Sequence, residues 1–227
     1  MATYSHSVYL QQSTLKKEGR YKGVLDGFDG PKTRAAFKSS LNARFKSHPG
    51  SVRFVTADGY PPRPAPAAAW KTKVFGRPGV KGGRGVPQAK LIPPFPMYYF
   101  GKRIRTIGCH QLIEAPLYNA LSELLRLKGL AWIKGHRLDQ YAGCYNPRNS
   151  RGGTSKSDHS WAIAIDLDAE HNGNHTPWKA GNQGKPGWAT MPTEAVKVFR
   201  KHGFQVGFKN SGGTRRDMMH ISYVNRT

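Results

Sequence analysis

The sequence predicts an α+β protein, and three observations carry that prediction. Two short segments, WAIAIDLD and MHISYV, have the composition of strands. Two others repeat apolar residues at helical spacing: Leu117, Leu121, Leu124 and Leu125, then Ala195, Val198, Phe199 and His202. Ahead of these lies a stretch dense in Pro and Gly that separates off a small helical unit at the N-terminal end. The expected architecture is a strand-bearing C-terminal domain of about 120 residues with one helical packing layer.

Taken in order, Ser7 is the expected cap of a first helix carrying Val8, Leu10 and Leu15, with Gly19 as its stop. A Gly-rich loop, KGVLDGFDGP, follows. Pro31 then suits the first turn of a second helix, where Phe37 and Leu41 share a face. Residues 45–105 have linker composition, semi-rigid where Pro dominates and flexible where Gly does. Their last stretch, FPMYYFGKRIRTI, has the β-propensity of a first strand or hairpin. Pro116 opens the third helix and Gly129 ends it; Thr193 caps the fourth and Gly203 stops it. The boundaries that follow are a helical module over 1–45, a basic Pro/Gly-rich linker over 46–95, and an α+β domain over 96–227.

Apolar residues make up 37% and aromatic residues 11% of the 227, which excludes wholesale disorder. The longest apolar runs are as short as AWI and WAIAI, which excludes a transmembrane helix. The opening MATYSHSVYLQQ lacks the basic and apolar regions of a Sec-type signal peptide. Cys109 and Cys144 form no CxxC pair, so neither a disulfide framework nor a thiolate zinc site is expected, only two reduced thiols. Charge is the loudest feature. Lys plus Arg is 36 against 13 Asp plus Glu, a net +23, and residues 1–105 hold 20 basic against 4 acidic side chains. Such a surplus attracts polyanions: nucleic acid, anionic lipid headgroups or bacterial envelope polymers. No helix-turn-helix, zinc-finger spacing or aromatic-basic motif points to specific nucleic-acid binding.

Two segments carry chemistry. In Ser157-Asp158-His159-Ser160-Trp161-Ala162-Ile163-Ala164-Ile165-Asp166, a strand read from Ala162 puts two alanines and a carboxylate on one face. His159, on the turn before it, can fold over that open space, and a histidine beside a carboxylate suits zinc. In Asp217-Met218-Met219-His220-Ile221-Ser222-Tyr223, His220 opens a second strand and Asp217 sits in its approach loop. If the strands are neighbours, His220 is a third ligand, and Asp217 stands near the position a catalytic zinc leaves to water, where a carboxylate serves as general base. A His-x6-Asp pair alone is more often surface and structure; the downstream Asp-x2-His brings the two readings level. His171 and His175 read as a solvated loop, His202 as packed on its helix, and Asp168 as a strand-end residue. His6, His48, His110 and His136 show no partner pattern.

These segments resemble the zinc D-Ala-D-Ala carboxypeptidase and L-alanyl-D-glutamate endopeptidase family, peptidase family M15. Its Ser-x-His-x-x-Gly-x-Ala-x-Asp motif and later Asp/Glu-x-x-His are matched over roughly 109–225, with AGCYNPR before the first and KHGFQVG before the second. Ala162 replaces the usual Gly, with a narrower pocket as the expected effect, and Val206 stands where Trp is common. The resemblance implies Zn²⁺ held by His159, Asp166 and His220, with Asp217 as catalytic acid/base. It implies Arg148 as a substrate- or transition-state-binding catalytic residue and Ser157 as the motif serine at the substrate site. The implied fold is a small antiparallel sheet packed by helices.

Residues 8–41 resemble the three-helix peptidoglycan-binding module, through Leu10-Gln11, Gly19 to Gly23, Asp26-Gly27, Gly30-Pro31, Thr33 and Phe37. Module, linker and peptidase in this order look like a modular bacteriophage endolysin. The implied function is hydrolysis of a murein stem-peptide bond, L-alanyl-D-glutamate being the expected one, by zinc-activated water for host lysis. The expected partners are bacterial peptidoglycan and, electrostatically, the anionic outer envelope, with the chain a monomer. Without a signal peptide it would wait in the host cytoplasm until the inner membrane is opened. Two alternatives stay open: a D-alanyl-D-alanine carboxypeptidase of the same family, and a non-enzymatic basic polyanion binder.

Overall fold

The computed structural model describes residues 6–17, 19–36, 39, 60–173, 176–207 and 217–225. Phe37, Leu41, His48 and His175, and the side chains of His6, Ser7, Leu10 and Gln11, lie outside the described residues. Helix α1 spans His6–Lys17 and includes Ser7. Gly19 does stop the helix: it is left-handed at φ 71, and its N–H reaches Lys16 O at 3.0 Å. A loop leads to α2 (31–36), and Leu15, Tyr21 and Ala36 bury together. Gln12 is the loop's anchor. It is 0% exposed; its Nε2 lies 2.7 Å from Asp26 Oδ1 and 2.9 Å from Thr33 Oγ1, while its Oε1 accepts from the Gly27 N–H at 2.9 Å.

Residues 60–95 correct the linker reading. Within them lie α3 (Ala68–Phe75) and β1 (Gln88–Leu91), which pairs antiparallel with β4 (Ile107–His110). Val74, Phe75, Leu91 and Phe95 are buried in the main core. The Trp161 Nε1–H donates to Gly76 O at 2.9 Å, the Gly79 N–H to Ser160 O at 2.7 Å, and Tyr223 Oη to Pro61 O at 2.6 Å. Composition misleads here because Pro and Gly shape the turns between short elements that bury only a few apolar side chains, while Trp70, Val80 and Ile92 stay exposed. The strand or hairpin expected of FPMYYFGKRIRTI is present as β2 (Met97–Tyr99) and β3 (Lys102–Ile104).

The architecture is α+β. Its central sheet is antiparallel, in the order β5 (Tyr141–Gly143), β6 (Ala164–Leu167), β8 (His220–Ser222), β7 (Gln205–Val206). Helix α4 (Glu114–Gly135) buries Leu117, Leu121 and Leu124 completely and is broken at Gly129 (φ 76, ψ 164), the stop the sequence implies. A short α5 (Ala169–Asn172) follows β6. In α6 (Thr193–Lys201), Ala195 and Phe199 face the core; Pro192 holds the cap position and Thr193 is the first helical residue. Gly203, at φ 90, ends it. The WAIAIDLD segment becomes strand later than its pattern suggests: Asp158–Trp161 form a 3₁₀ turn and Ala162 is left-handed at φ 54. Both cysteines are buried free thiols, and burial pushes each well above the usual thiol range.

One polar network ties α4 to α6. Asn119 Nδ2 donates to Tyr60 Oη (2.8 Å), Tyr60 Oη lies 2.9 Å from His202 Nδ1, and His202 Nε2 lies 2.6 Å from Glu123 Oε2. Burial pushes His202 below its ordinary value despite Glu123. Burial would raise Glu123, but Lys201 and His202 hold it down. Both groups thus bind protons more weakly folded than unfolded, so their stabilisation is complete above about pH 6.5 and fades on acidification, His202 first and Glu123 from about pH 4.3. The expected result is that the stability gap between wild type and His202→Gln is constant from pH 7 upward and narrows below 6.5. Denaturant melts across that range check it; a gap that widens with acid contradicts the arrangement.

Candidate metal centre

Strand pairing sets the site. Asp166 on β6 lies directly opposite His220 on β8, because the two strands are neighbours in the sheet. Ile165, Leu167 and Ile221 point the other way into the core, as strand alternation requires. His159 comes from the 3₁₀ turn, whose N-cap is Ser157: the Ser157 hydroxyl accepts from the His159 N–H at 3.4 Å. The result is a compact set of two nitrogens and a carboxylate. His159 Nε2 is 3.1 Å from His220 Nδ1 and 3.3 Å from Asp166 Oδ2, and His220 Nδ1 is 3.4 Å from Asp166 Oδ1.

These residues fit a divalent cation on two grounds. His159 Nδ1 lies 2.5 Å from Cys144 O, a carbonyl that can only accept, so this nitrogen carries the proton and Nε2 presents a lone pair. His220 Nε2 faces Asp158 Oδ2 at 3.5 Å, which likewise turns the Nδ1 lone pair inward. Two ring nitrogens 3.1 Å apart beside a carboxylate call for a cation between them, a metal ion or, without one, the proton that His220 holds. Asp166 Oδ1 is moreover buried without a hydrogen-bond partner among the described residues. N, N and O donors are the set zinc accepts. Burial would raise Asp166, but His159 and His220 hold it well below the usual carboxylate range. Burial would lower His220, yet Asp158 and Asp166 outweigh it and raise it to about 9.

Asp217 stands beside the cluster, 8% exposed, with Oδ1 buried and free of hydrogen-bond partners among the described residues. Burial raises its carboxyl above the ordinary value; His220 lowers it and Asp166 raises it further. A carboxylate with a spare lone pair and raised proton affinity suits proton transfer. Arg148 is exposed, and its Nη1 donates to the neighbouring Asn149 O at 3.1 Å. Arg151, by contrast, exerts its charge on Asp217. The departure at Ala162 bears on backbone rather than pocket: its side chain is in the core, at a left-handed φ that costs a non-glycine residue about 1 kcal/mol. Val206 is likewise a core residue.

Sequence reasoning missed Lys71 and Asp158, a buried ion pair at 2.8 Å behind His220. The polar residue between the motif's Ser and His was the available signal for Asp158; Lys71 lay hidden in linker-like composition. A second group, Asp168, Glu170 and His171, also clusters. There Asp168 is fully engaged by Arg137 (2.9 Å), His171 (2.9 Å), Asn172 (3.1 Å) and Thr190 (2.9 Å), which makes it a structural hub rather than a metal site. His110, too, has partners: its Nδ1 accepts from Leu112 N–H at 3.2 Å and its Nε2 meets Phe75 O at 3.2 Å. No helix among the described residues is long and apolar enough to cross a membrane.

No curated protein and no solved structure matches the chain. Residues 151–223 match the model of an M15 peptidase family, described as D-alanyl-D-alanine carboxypeptidase. The matched span contains Ser157, His159, Asp166, Asp217 and His220, and stops short of Arg148 and Lys71. Motif, geometry and match together support a zinc D-Ala-D-Ala carboxypeptidase-like peptidase domain in this part of the chain.

Proposed function

We propose that this protein is a zinc endopeptidase of the murein stem peptide that lyses bacterial cells from within, cutting at L-alanyl-D-glutamate. The observation that supports it best is the juxtaposition of the two-histidine, one-carboxylate cluster with the buried, unbonded Oδ1 of Asp217. Zinc held by His159, Asp166 and His220 would acidify water and polarise the scissile carbonyl. Asp217 Oδ1 takes the water proton and delivers it to the leaving amine nitrogen, so one water is consumed for each amide converted to carboxylate and amine. Arg148 and Arg151 offer guanidinium groups to the carboxylates of the stem peptide. Ser157 contributes by capping the turn that carries His159.

Residues 1–45 would hold the enzyme on insoluble murein, and the basic surplus would favour the anionic envelope, raising local substrate concentration. The chain would act as a monomer once the inner membrane has been opened. The description of the matching family favours a second reading, carboxypeptidase action on a terminal D-alanine. Mass spectrometry of products from purified peptidoglycan separates the two. Free L-alanyl termini on the glycan and released D-glutamyl peptides are expected; free D-alanine alone would replace the endopeptidase with the carboxypeptidase. Murein binding without any product would leave only the polyanion binder.

A further inference from the structure

We propose that Lys71 and Asp158 form a buried positioning pair that fixes the His220 imidazole for metal binding, a role that rests on the zinc reading of the site. The geometry is a relay running away from the ligand cluster. His220 turns Nδ1 toward His159 and Asp166, and on its far side Nε2 lies 3.5 Å from Asp158 Oδ2. The other oxygen, Asp158 Oδ1, accepts from Lys71 Nζ at 2.8 Å. Side-chain exposure is only 5% for Lys71 and 2% for Asp158. Lys71 Nζ also sits 4.5 Å from the centre of the Trp161 ring, whose Nε1–H is held by Gly76 O at the end of α3.

Two charges taken this far out of water cost more than an apolar pair of the same size, so the ion pair is weak as a device for stability alone. Its placement gives it another use. A carboxylate accepting the Nε2 proton fixes the His220 tautomer and ring orientation and raises the basicity of Nδ1. Lys71 in turn occupies Oδ1 and balances the charge of Asp158, which keeps that carboxylate off the metal. The two histidines are therefore supported differently: His159 by a neutral carbonyl, that of Cys144, and His220 by a carboxylate with its own counter-ion. This also explains why α3 packs against the 3₁₀ turn: it delivers Lys71.

The test uses the full-length chain and zinc itself, titrated against a chromogenic chelator, with the visible spectrum of the cobalt-substituted protein as an independent report on ligation. Asp158→Asn and Lys71→Met are each expected to weaken zinc binding by about 10–100-fold, the usual cost of losing such an outer partner. Either single variant leaves one buried charge uncompensated and can lose folding. The double variant Lys71→Met/Asp158→Asn removes both charges and restores the fold, yet its zinc affinity should stay low and its cobalt spectrum altered. Wild-type zinc affinity in the double variant would overturn the pair's role and make it purely structural. Failure of the wild type to bind one zinc per chain would overturn the metal reading beneath it, a separate and recognisable outcome.

Discussion

Replacing Asp217 with Asn is expected to leave zinc content unchanged while hydrolysis falls by about 10²–10⁴-fold, the usual range for a positioned acid/base. Asparagine keeps the shape of the side chain, but its amide cannot take a proton from water. His220→Ala should behave differently, losing metal and activity together, because it removes one of three donors that converge within a few ångströms. Elemental analysis beside a hydrolysis assay distinguishes these outcomes. Near-normal activity in Asp217→Asn, or zinc loss as complete as in His220→Ala, would reverse the assigned roles. The buried Oδ1 of Asp217 makes the first result the expected one, since nothing among the described residues holds that oxygen in a structural bond.

Deleting residues 1–95 should destroy the fold of the peptidase portion, whereas deleting residues 1–59, which among the described residues takes only Val8 from the main core, should preserve it. Val74, Phe75, Leu91 and Phe95 go with the longer deletion, and at about 1.5–3 kcal/mol for each buried side chain the loss is roughly 6–12 kcal/mol. That is comparable with the whole stability of a domain, about 5–15 kcal/mol. Strand β4 would also lose its pairing with β1, and Asp158 its counter-ion. Circular dichroism melts and zinc content of the two truncated chains check this. A cooperative melt near the wild-type temperature for residues 96–227 alone would mean that the segment from 60 to 95 is an ornament.

The site was more legible than its support. Asp166 and His220 could be set on one face from sequence because strand alternation assigns faces over a few residues, and Asp166 opposite His220 needed only that two strands be neighbours; His159 lies on a turn, and the ligand roles came from the motif resemblance. Chain segments distant in sequence were harder. Lys71 reaches Asp158 across 87 positions, and no local pattern encodes such a pairing. The AAAW run before it has strong helix propensity, yet its flanking prolines and glycines suggested a linker, and tertiary packing decided the matter. Ala162 shows the opposite failure: read as the first residue of a strand, it is the left-handed link that lets a tight turn precede β6. Gln12 was overlooked because amide side chains carry no periodic signal, although it organises the loop landmarks around it.

The segment that begins at Tyr60 also clasps the other end of the chain. Tyr223 Oη donates to Pro61 O, and the Asn225 N–H donates to Pro64 O at 2.8 Å. The peptidase portion thus carries its own N-terminal strap, closed against its last strand. For recombination between related genes, the place of a crossover relative to this strap matters, for example one ahead of Tyr60. A crossover there exchanges the N-terminal module and keeps the strap with the core it closes. A crossover near residue 95, where composition places the seam, would pair one lineage's strap with another's core, and such hybrids should be rare among descendants.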